Sequence, residues 1–220
     1  EEFGVKEGVS IKLKKFIPVS AGMAGGSTDA AAVLVGVNRM FDLGFTKKEL
    51  MERGVKLGAD VPYCIMRGTA LSEGIGEILT ELPAPPQCHL VIAKPQISVS
   101  TKAVYGKLRV NELAPEEHPD IDGMMAAIKN GDLDGVIERL GNVLETVTVP
   151  DHPEIAEIKE IMVENGACGS LMSGSGPTVF GIYRDRELAE KACQALREAD
   201  GGRLTRQVYL TEFYNRKKAR

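Results

Sequence analysis

Residues 18–36 have the sequence PVSAGMAGGSTDAAAVLVG, and this stretch decides how the fold is predicted. It contains four glycines, Gly22, Gly25, Gly26 and Gly36, and almost no side chain larger than valine. Small side chains let a backbone approach a ligand or another segment closely. An apolar, strand-like segment precedes the stretch and a helix-forming one follows it. The order therefore predicts strand, loop and helix.

A loop of this kind is suited to binding an anion. Glycines leave backbone N–H groups uncovered, and a helix beginning near Ser27 or Thr28 directs its free N–H groups and positive dipole end to the same place. The hydroxyls of Ser20, Ser27 and Thr28 add donors or a metal contact. The spacing fits neither a Walker A loop, which needs a Lys, nor the G-x-G-x-x-G dinucleotide loop. A tight turn before a closely packed helix remains the alternative.

A second glycine-rich stretch, SLMSGSGPTVFG, occupies residues 170–181. Residues 173–177 are predicted to form a tight turn between two strands, and a plain hairpin would explain the glycines equally well. Two such loops in one chain favour a polyphosphate ligand.

The first half of the chain is predicted to be mostly helical. Apolar residues alternate with lysines at 11–14, which predicts a half-buried strand. Residues 30–44 indicate a buried helix, and Thr46 with Glu49 forms a capping box that opens another helix. A short helix near residue 61 and a hairpin at 69–81 complete this half.

The second half begins after LPAPPQ, residues 82–87, whose prolines indicate a linker. Helices are predicted at about 100–108, 119–129, 133–145, 153–164 and 185–198, and strands near 88–95, 166–174, 177–183 and 206–213. Strand, helices, strand, strand, helix, strand is the order of the split βαβ, ferredoxin-like arrangement. We therefore predict domains at residues 1–84 and 85–220.

The composition argues against several classes of function. The 220 residues carry a net charge of −4, which gives no basic footprint for nucleic acid. The sequence contains no run of 18 apolar residues, so no membrane span is predicted. The first residues also lack a signal-peptide pattern. The four cysteines are scattered without a CxxC pair, and three of them sit in apolar contexts that indicate small core residues rather than zinc ligands. A cytoplasmic protein is expected, and the oligomeric state is left open.

The two glycine stretches together resemble the motifs of the GHMP kinase superfamily. The segments AGGSTDAAAVL, LGADVPYCIMRGTALSEGIGE, KPQISVSTKAVY and SGSGPTVFG occur in that superfamily's order. They most resemble the branch that acts on a cytidine diphosphate-linked methylerythritol in the non-mevalonate route to isoprenoids. The resemblance covers nearly the whole chain.

The resemblance implies an α+β fold, with an incomplete domain like ribosomal protein S5 domain 2 followed by a ferredoxin-like GHMP kinase domain. It also implies an enzyme that uses ATP and Mg²⁺ to phosphorylate the 2-hydroxyl of that small-molecule substrate. Homoserine kinase is the close alternative. An S5-like nucleic-acid binder is disfavoured by the negative charge.

One departure from the family pattern affects the expected activity. The family's A-K-[IL]-N-L strand, with its catalytic lysine, and its D-G-Y-H segment do not occur in these residues. The resemblance therefore implies that an N-terminal segment is missing. It also implies that the 220-residue chain alone is a nucleotide-binding fragment without measurable turnover.

Site residues follow from the matched motifs. Asp60 in GADVP corresponds to the catalytic carboxylate, although Asp before Val-Pro is also a good helix N-cap. Ser27 is the expected Mg²⁺ contact. The expected ATP-binding residues are Pro18, Val19, Ser20, Ala21, Gly22, Met23, Ala24, Gly25, Gly26, Ser27 and Thr28. The expected substrate-binding residues are Thr101, Tyr105, Ser173, Gly174, Ser175 and Gly176. Tyr105 is placed to stack on the cytosine, and a core tyrosine is the alternative.

Overall fold

The computed structural model describes residues 3–18 and 21–214, and these divide into two units. The first unit holds residues up to 18 together with 24–81, and the second holds 21–23 together with 82–214. A domain boundary after residue 84 stays a prediction. Val19 and Ser20, which the sequence assigns to the ATP site, lie outside the described residues.

The first unit contains three helices and one hairpin among its described residues. Thr46 and Glu49 form the expected capping box: the Thr46 hydroxyl accepts a hydrogen bond from the Glu49 N–H at 3.3 Å, and the Glu49 carboxylate accepts one from the Thr46 N–H at 2.8 Å. The elements are α1 Gly25–Met40, α2 Lys47–Gly54, α3 Val61–Met66, β1 Thr69–Glu73 and β2 Ile78–Leu82.

The core of the first unit is small. Ala31, Leu50, Val61 and Ile65 are its buried residues, and they join the three helices. The expectation that α1 is a buried helix is wrong, because only Gly25 and Ala31 of its 16 residues are buried. Alanine favours the helix by its conformational preference, so an apolar, alanine-rich sequence does not require burial on all sides.

The half-buried strand predicted at residues 11–14 is also wrong. Ile11 and Leu13 are 61% and 63% exposed, and this segment pairs with no strand among the residues that the structure describes. Alternation of apolar and charged side chains gives a strand its two faces, but a strand also needs a neighbour to pair its backbone N–H and C=O groups.

The second unit is built on a four-stranded antiparallel sheet with the order β4-β5-β3-β6. Val91 at the centre of β3 pairs with Gly181 on one side and Leu210 on the other. This is the ferredoxin-like order, so that part of the fold prediction is confirmed. The strands are β3 His89–Pro95, β4 Gly169–Met172, β5 Val179–Tyr183 and β6 Thr205–Glu212.

Helices cover one face of this sheet. Ile155, Ile158 and Met162 are fully buried along α8, and Ala189 and Leu196 are fully buried along α9. The spacing of three, four and seven residues puts each set on one helical face, which packs against β3 and β5. The helices are α4 Thr101–Lys107, α5 Ile121–Asn130, α6 Leu133–Glu138, α7 Glu145–Asp151, α8 Glu154–Glu164 and α9 Arg186–Glu198, with short 3₁₀ turns at Val110–Glu112, Pro115–Glu117 and Ala199–Gly202.

The single helix predicted at 133–145 is in fact two helices, α6 and α7, separated by residues 139–144. Asn142 lies in the gap, and its side-chain oxygen accepts a hydrogen bond from the Leu144 N–H at 3.0 Å. A side chain that bonds to a nearby backbone group offers the chain an alternative to the helical ladder. The apolar periodicity continues through the gap, so the sequence pattern did not reveal it.

No helix among the described residues is long and apolar enough to span a membrane. The four cysteines are free thiols: Cys88 and Cys193 are buried, Cys64 is half-buried and Cys168 is exposed.

Candidate active site

The N-terminus of α1 is the candidate site of the first unit. The residue before the helix, Ala24, has a left-handed backbone with φ +47° and makes no side-chain capping hydrogen bond. The first N–H groups of an α-helix have no partner within the helix, and a Ser, Thr, Asp or Asn side chain normally supplies one. An alanine at this position leaves those N–H groups available to a ligand.

The two glycines at the start of α1 have different surroundings. A Cβ on Gly25 would lie 3.0 Å from Ile17 Cγ2, so Gly25 packs closely against protein. A Cβ on Gly26 would meet no heavy atom within 4 Å. Gly26 is therefore not explained by packing, and its surface is open.

Ser27 and Thr28, in the first turn of α1, lie close to the GADVP segment of the same unit. The Ser27 hydroxyl lies 3.9 Å from the position that a Cβ on Gly58 would occupy. The Thr28 hydroxyl donates to the Ala24 carbonyl at 3.0 Å and lies 3.5 Å from the Cys64 sulfur. The structure thus brings together two motifs that are about 30 residues apart in the sequence.

Asp60 is joined to this cluster through Cys64, whose N–H donates to the Asp60 carbonyl at 3.1 Å. Burial raises the pKa of the Cys64 thiol, the Thr28 hydrogen bond opposes that rise, and the negative charge of Asp60 adds to it. Asp60 stands at the N-cap position of α3 but makes no side-chain capping hydrogen bond. The exposed carboxylate is therefore not engaged in capping, which weakens the purely structural interpretation of this residue.

Lys15 is a residue near this site that the sequence analysis did not single out. Its ammonium group forms an ion pair with Asp29, and it lies 3.2 Å from the position of a Cβ on Gly25. Because Asp29 neutralises this ammonium group, the ion pair attaches residue 15 to the first turn of α1 without adding net charge there. Lys15 directly follows the apolar–lysine alternation at 11–14, and no pattern in the sequence distinguishes it from those lysines.

The second unit has a candidate site of its own, where Gly22 of the first glycine stretch meets the second stretch. The Ser173 hydroxyl donates to the Gly22 carbonyl at 2.8 Å. A Cβ on Gly22, whose φ is +67°, would lie 2.2 Å from the Ser173 carbonyl oxygen. Only glycine fits there, so Gly22 is required by close packing and by its left-handed backbone. Ala21 is buried beside it.

Helix α4 carries the other expected substrate contacts. Ser100 caps this helix, with its side chain accepting a hydrogen bond from the Ala103 N–H at 3.3 Å. The Thr101 and Ser175 hydroxyls are 2.8 Å apart, which fixes the start of α4 against the second glycine loop. Tyr105 follows Thr101 by one turn on the same helical face and is 61% exposed. The exposure contradicts the interpretation of Tyr105 as a core residue.

The second glycine loop is held by several side chains that the sequence analysis did not identify. The Thr148 hydroxyl donates to the Ser175 carbonyl at 3.3 Å, and Glu145 accepts from the Met172 N–H at 2.7 Å. Asn142 donates to two carbonyls of the same loop. These residues lie about 30 positions before the loop, and nothing in their local sequence indicated the contact.

Comparison with known proteins identifies the family. Residues 1–68 match the GHMP kinases N terminal domain, and residues 124–201 match the GHMP kinases C terminal domain. A 4-diphosphocytidyl-2-C-methyl-D-erythritol kinase of Lachnospira eligens is 56% identical over 207 residues, which cover 94% of this chain and 70% of that protein. The chain belongs to the GHMP kinase family. It is therefore an ATP-dependent phosphotransferase, as expected from the sequence.

Further relatives agree with this GHMP kinase assignment. A kinase of the same name from Lachnoclostridium phytofermentans is 50% identical over 217 residues, covering 99% of this chain and 73% of its own length. The crystal structure of a 4-(cytidine 5'-diphospho)-2C-methyl-D-erythritol kinase matches with a TM-score of 0.74 and 30% identity over 90% of this chain and 68% of that one. The α+β GHMP kinase fold is thereby confirmed.

A homoserine kinase from Cytophaga hutchinsonii matches this GHMP kinase with a TM-score of 0.76 over 91% of this chain and 68% of its own. Its identity is 20%, so this likeness concerns the fold alone.

Proposed function

We propose that this GHMP kinase transfers the γ-phosphoryl group of ATP to the 2-hydroxyl of 4-diphosphocytidyl-2-C-methyl-D-erythritol. Two bacterial relatives at 56% and 50% identity carry the name of that kinase. The one observation in the structure that carries the proposal is the uncapped start of α1, with Gly26 open beside it. Such an N-terminus presents several N–H groups and the positive end of the helix dipole to phosphate.

The residues around this helix start suit ATP with Mg²⁺. Ser27, Thr28 and Asp60 offer hydroxyl and carboxylate oxygens, which are the ligands that Mg²⁺ prefers. Mg²⁺ in kinases is bound by a few protein oxygens together with phosphate oxygens, so one hydroxyl such as Ser27 is a sufficient protein contact. When bound, Mg²⁺ neutralises charge on the transferred phosphoryl group.

Asp60 is the proposed catalytic residue. In the transfer, the 2-hydroxyl oxygen of the acceptor forms a bond to the γ-phosphorus as the bond from that phosphorus to the β,γ-bridging oxygen breaks, and ADP leaves. The hydroxyl proton passes to the Asp60 carboxylate. Asp60 can accept it because the carboxylate is exposed and is not engaged in capping α3.

Tyr105 is the proposed contact for the cytosine ring. Its side chain is exposed on a short helix whose start is fixed through Thr101 and Ser175. An exposed, flat aromatic face is suited to stacking on a nucleobase. Ser173 is proposed to shape the substrate site rather than to donate to the substrate, because its hydroxyl already donates to the Gly22 carbonyl.

Calorimetry on the 220-residue chain tests the substrate class. We expect a non-hydrolysable ATP analogue and cytidine diphosphate each to bind, and homoserine to give no heat. Tyr105→Ala should weaken cytidine diphosphate binding without affecting the ATP analogue, with Tyr209→Ala as a matched control on an exposed tyrosine of β6. Binding of homoserine in place of cytidine diphosphate would assign the chain to a different GHMP kinase.

A further inference from the structure

Asn142, between α6 and α7, makes three hydrogen bonds with its side chain. The amide nitrogen donates to the Met172 carbonyl at 2.8 Å and to the Gly174 carbonyl at 2.8 Å. The amide oxygen accepts from the Leu144 N–H at 3.0 Å. Both amide protons and the oxygen are used, and the reverse orientation would set the oxygen against two carbonyls. The orientation of this side chain is therefore determined by its partners.

The two carbonyls that Asn142 binds are those on either side of Ser173. Holding both fixes the backbone of Ser173 between them. Two backbone hydrogen bonds support the same turn, from the Ser173 N–H to the Thr178 carbonyl at 2.8 Å and from the Gly176 N–H to the Ser173 carbonyl at 2.9 Å. The turn is thus closed from within, and Asn142 attaches it to the start of α7.

Ser173 in turn fixes Gly22. Its hydroxyl donates to the Gly22 carbonyl, and its own carbonyl oxygen occupies the space where a Cβ on Gly22 would stand. A shift of Ser173 would therefore remove one contact and open the other. Gly22 belongs to the first glycine stretch, three residues before the start of α1.

We propose that Asn142 is a positioning residue that sets the backbone of Gly22 through Ser173. Its polar atoms are committed to protein partners, so it acts without touching either substrate. The link from Asn142 through Ser173 to Gly22 depends only on these hydrogen bonds and on the close contact between Ser173 and Gly22. Its consequence for ATP affinity rests on the proposed function, because that consequence requires the first glycine stretch to bind phosphate.

The role of the amide donors can be separated from that of side-chain volume. Asn142→Asp preserves the shape but replaces two donors with an oxygen facing two carbonyls, whereas Asn142→Ala removes both shape and donors. If Asn142 only fills space, the Asp variant should be the milder of the two. If it positions Ser173 through its donors, the Asp variant should disturb Gly22 at least as much as the Ala variant.

The test uses the 220-residue chain labelled with ¹⁵N-glycine. In Asn142→Asp we expect the amide resonances of Gly174 and Gly22 to move, and in Ser173→Ala we expect Gly22 to move. Asn165→Asp is the matched control, since Asn165 donates to the Ile161 carbonyl at 2.8 Å in the same unit. This control should leave the amide resonance of Gly22 unchanged. The proposal would be overturned if the Gly22 amide resonance did not shift in folded Asn142→Asp. It would also be overturned if that resonance shifted equally in the control. If the Asp variant does not fold, Asn142→Ala carries the same test.

Affinity for a non-hydrolysable ATP analogue gives the functional readout. We expect Asn142→Asp to bind it at least about tenfold more weakly, since losing one or two hydrogen bonds in the supporting network has that scale of effect. Asn165→Asp should bind like the unsubstituted chain. If the unsubstituted chain binds no ATP analogue, the proposed function fails, and the Gly22 resonance still decides the positioning role. Equal affinity in Asn142→Asp and the unsubstituted chain would contradict the effect on ATP.

Discussion

The two glycine-rich stretches have similar sequences but different physical reasons for their glycines. At Gly26, in the first stretch, a Cβ would meet no atom of the protein within 4 Å. At Gly176, in the second, a Cβ would lie 2.6 Å from the Met172 sulfur. Gly22 resembles Gly176, because a Cβ there would strike the Ser173 carbonyl. One glycine leaves space for something outside the protein, and the others allow protein segments to touch.

This difference separates binding from support. The second loop is surrounded by hydrogen bonds from Asn142, Thr148 and Thr101, and Ser175 is buried. The N-terminus of α1 lacks a capping side chain. The second loop is therefore suited to positioning, and the start of α1 is suited to contacting phosphate. Substitutions that add one methyl group distinguish these two roles.

Gly22→Ala should have the largest effect. Left-handed backbone costs a residue with a Cβ about 1–2 kcal/mol, and overpacking costs about 1–3 kcal/mol more. We expect the free energy of unfolding, measured with urea, to fall by about 2–5 kcal/mol, together with a loss of ATP-analogue binding. Unchanged stability would show that Gly22 is not packed against Ser173 as the structure has it.

Gly26→Ala should separate binding from stability. The added methyl group meets no protein atom, and alanine favours a helix over glycine by up to about 1 kcal/mol. We expect unfolding to be unaffected or slightly harder, while the ATP analogue binds at least about tenfold more weakly because the methyl group blocks close approach. Normal affinity in this variant would argue that phosphate does not approach Gly26.

Tyr105→Ala should affect the other ligand only. Loss of base stacking costs about 1–3 kcal/mol in comparable sites. We expect that loss for cytidine diphosphate in calorimetry, and no change for the ATP analogue or for unfolding, because Tyr105 is exposed. Tyr105→Phe keeps the ring and should bind normally. An equal loss in Tyr105→Phe would indicate a role for the hydroxyl instead of the ring.

Cysteine labelling should show the smallest effect. Burial raises the pKa of the Cys64 thiol, so less of it is thiolate at a given pH, and its alkylation should be slow and should accelerate as the pH rises. Cys168 is exposed and should react first. Because the Cys64 sulfur lies 3.5 Å from Thr28, the ATP analogue should slow Cys64 further and leave Cys168 unaffected. Protection of Cys168 alone would place the nucleotide elsewhere.

Sequence patterns predicted several elements of both units well because the signals for these elements are local. The capping box at Thr46, the hairpin at 69–81 and the apolar spacing of α8 each specify an element from neighbouring residues. The strand at 11–14 failed because strand formation depends on a partner that alternation does not provide. Asn142 was missed for the same reason, since its partners are 30 and 32 positions away.

For the candidate site, the sequence supplied the residue types and the structure supplied their surroundings. The resemblance pointed to Asp60 and Ser27, but only the structure places the GADVP segment beside the start of α1. It also distinguishes Gly26 from Gly22, which look alike in the sequence. Whether a glycine faces open space or packs against other protein atoms depends on which residues folding brings close to it.

A crystal structure of this chain with a non-hydrolysable ATP analogue tests the central claim most directly. The account predicts phosphate oxygens within about 3.2 Å of the free backbone nitrogens in the first turn of α1, from Gly25 to Ser27. A triphosphate bound away from this helix start, with the first-turn N–H groups bonded to protein atoms instead, would contradict it.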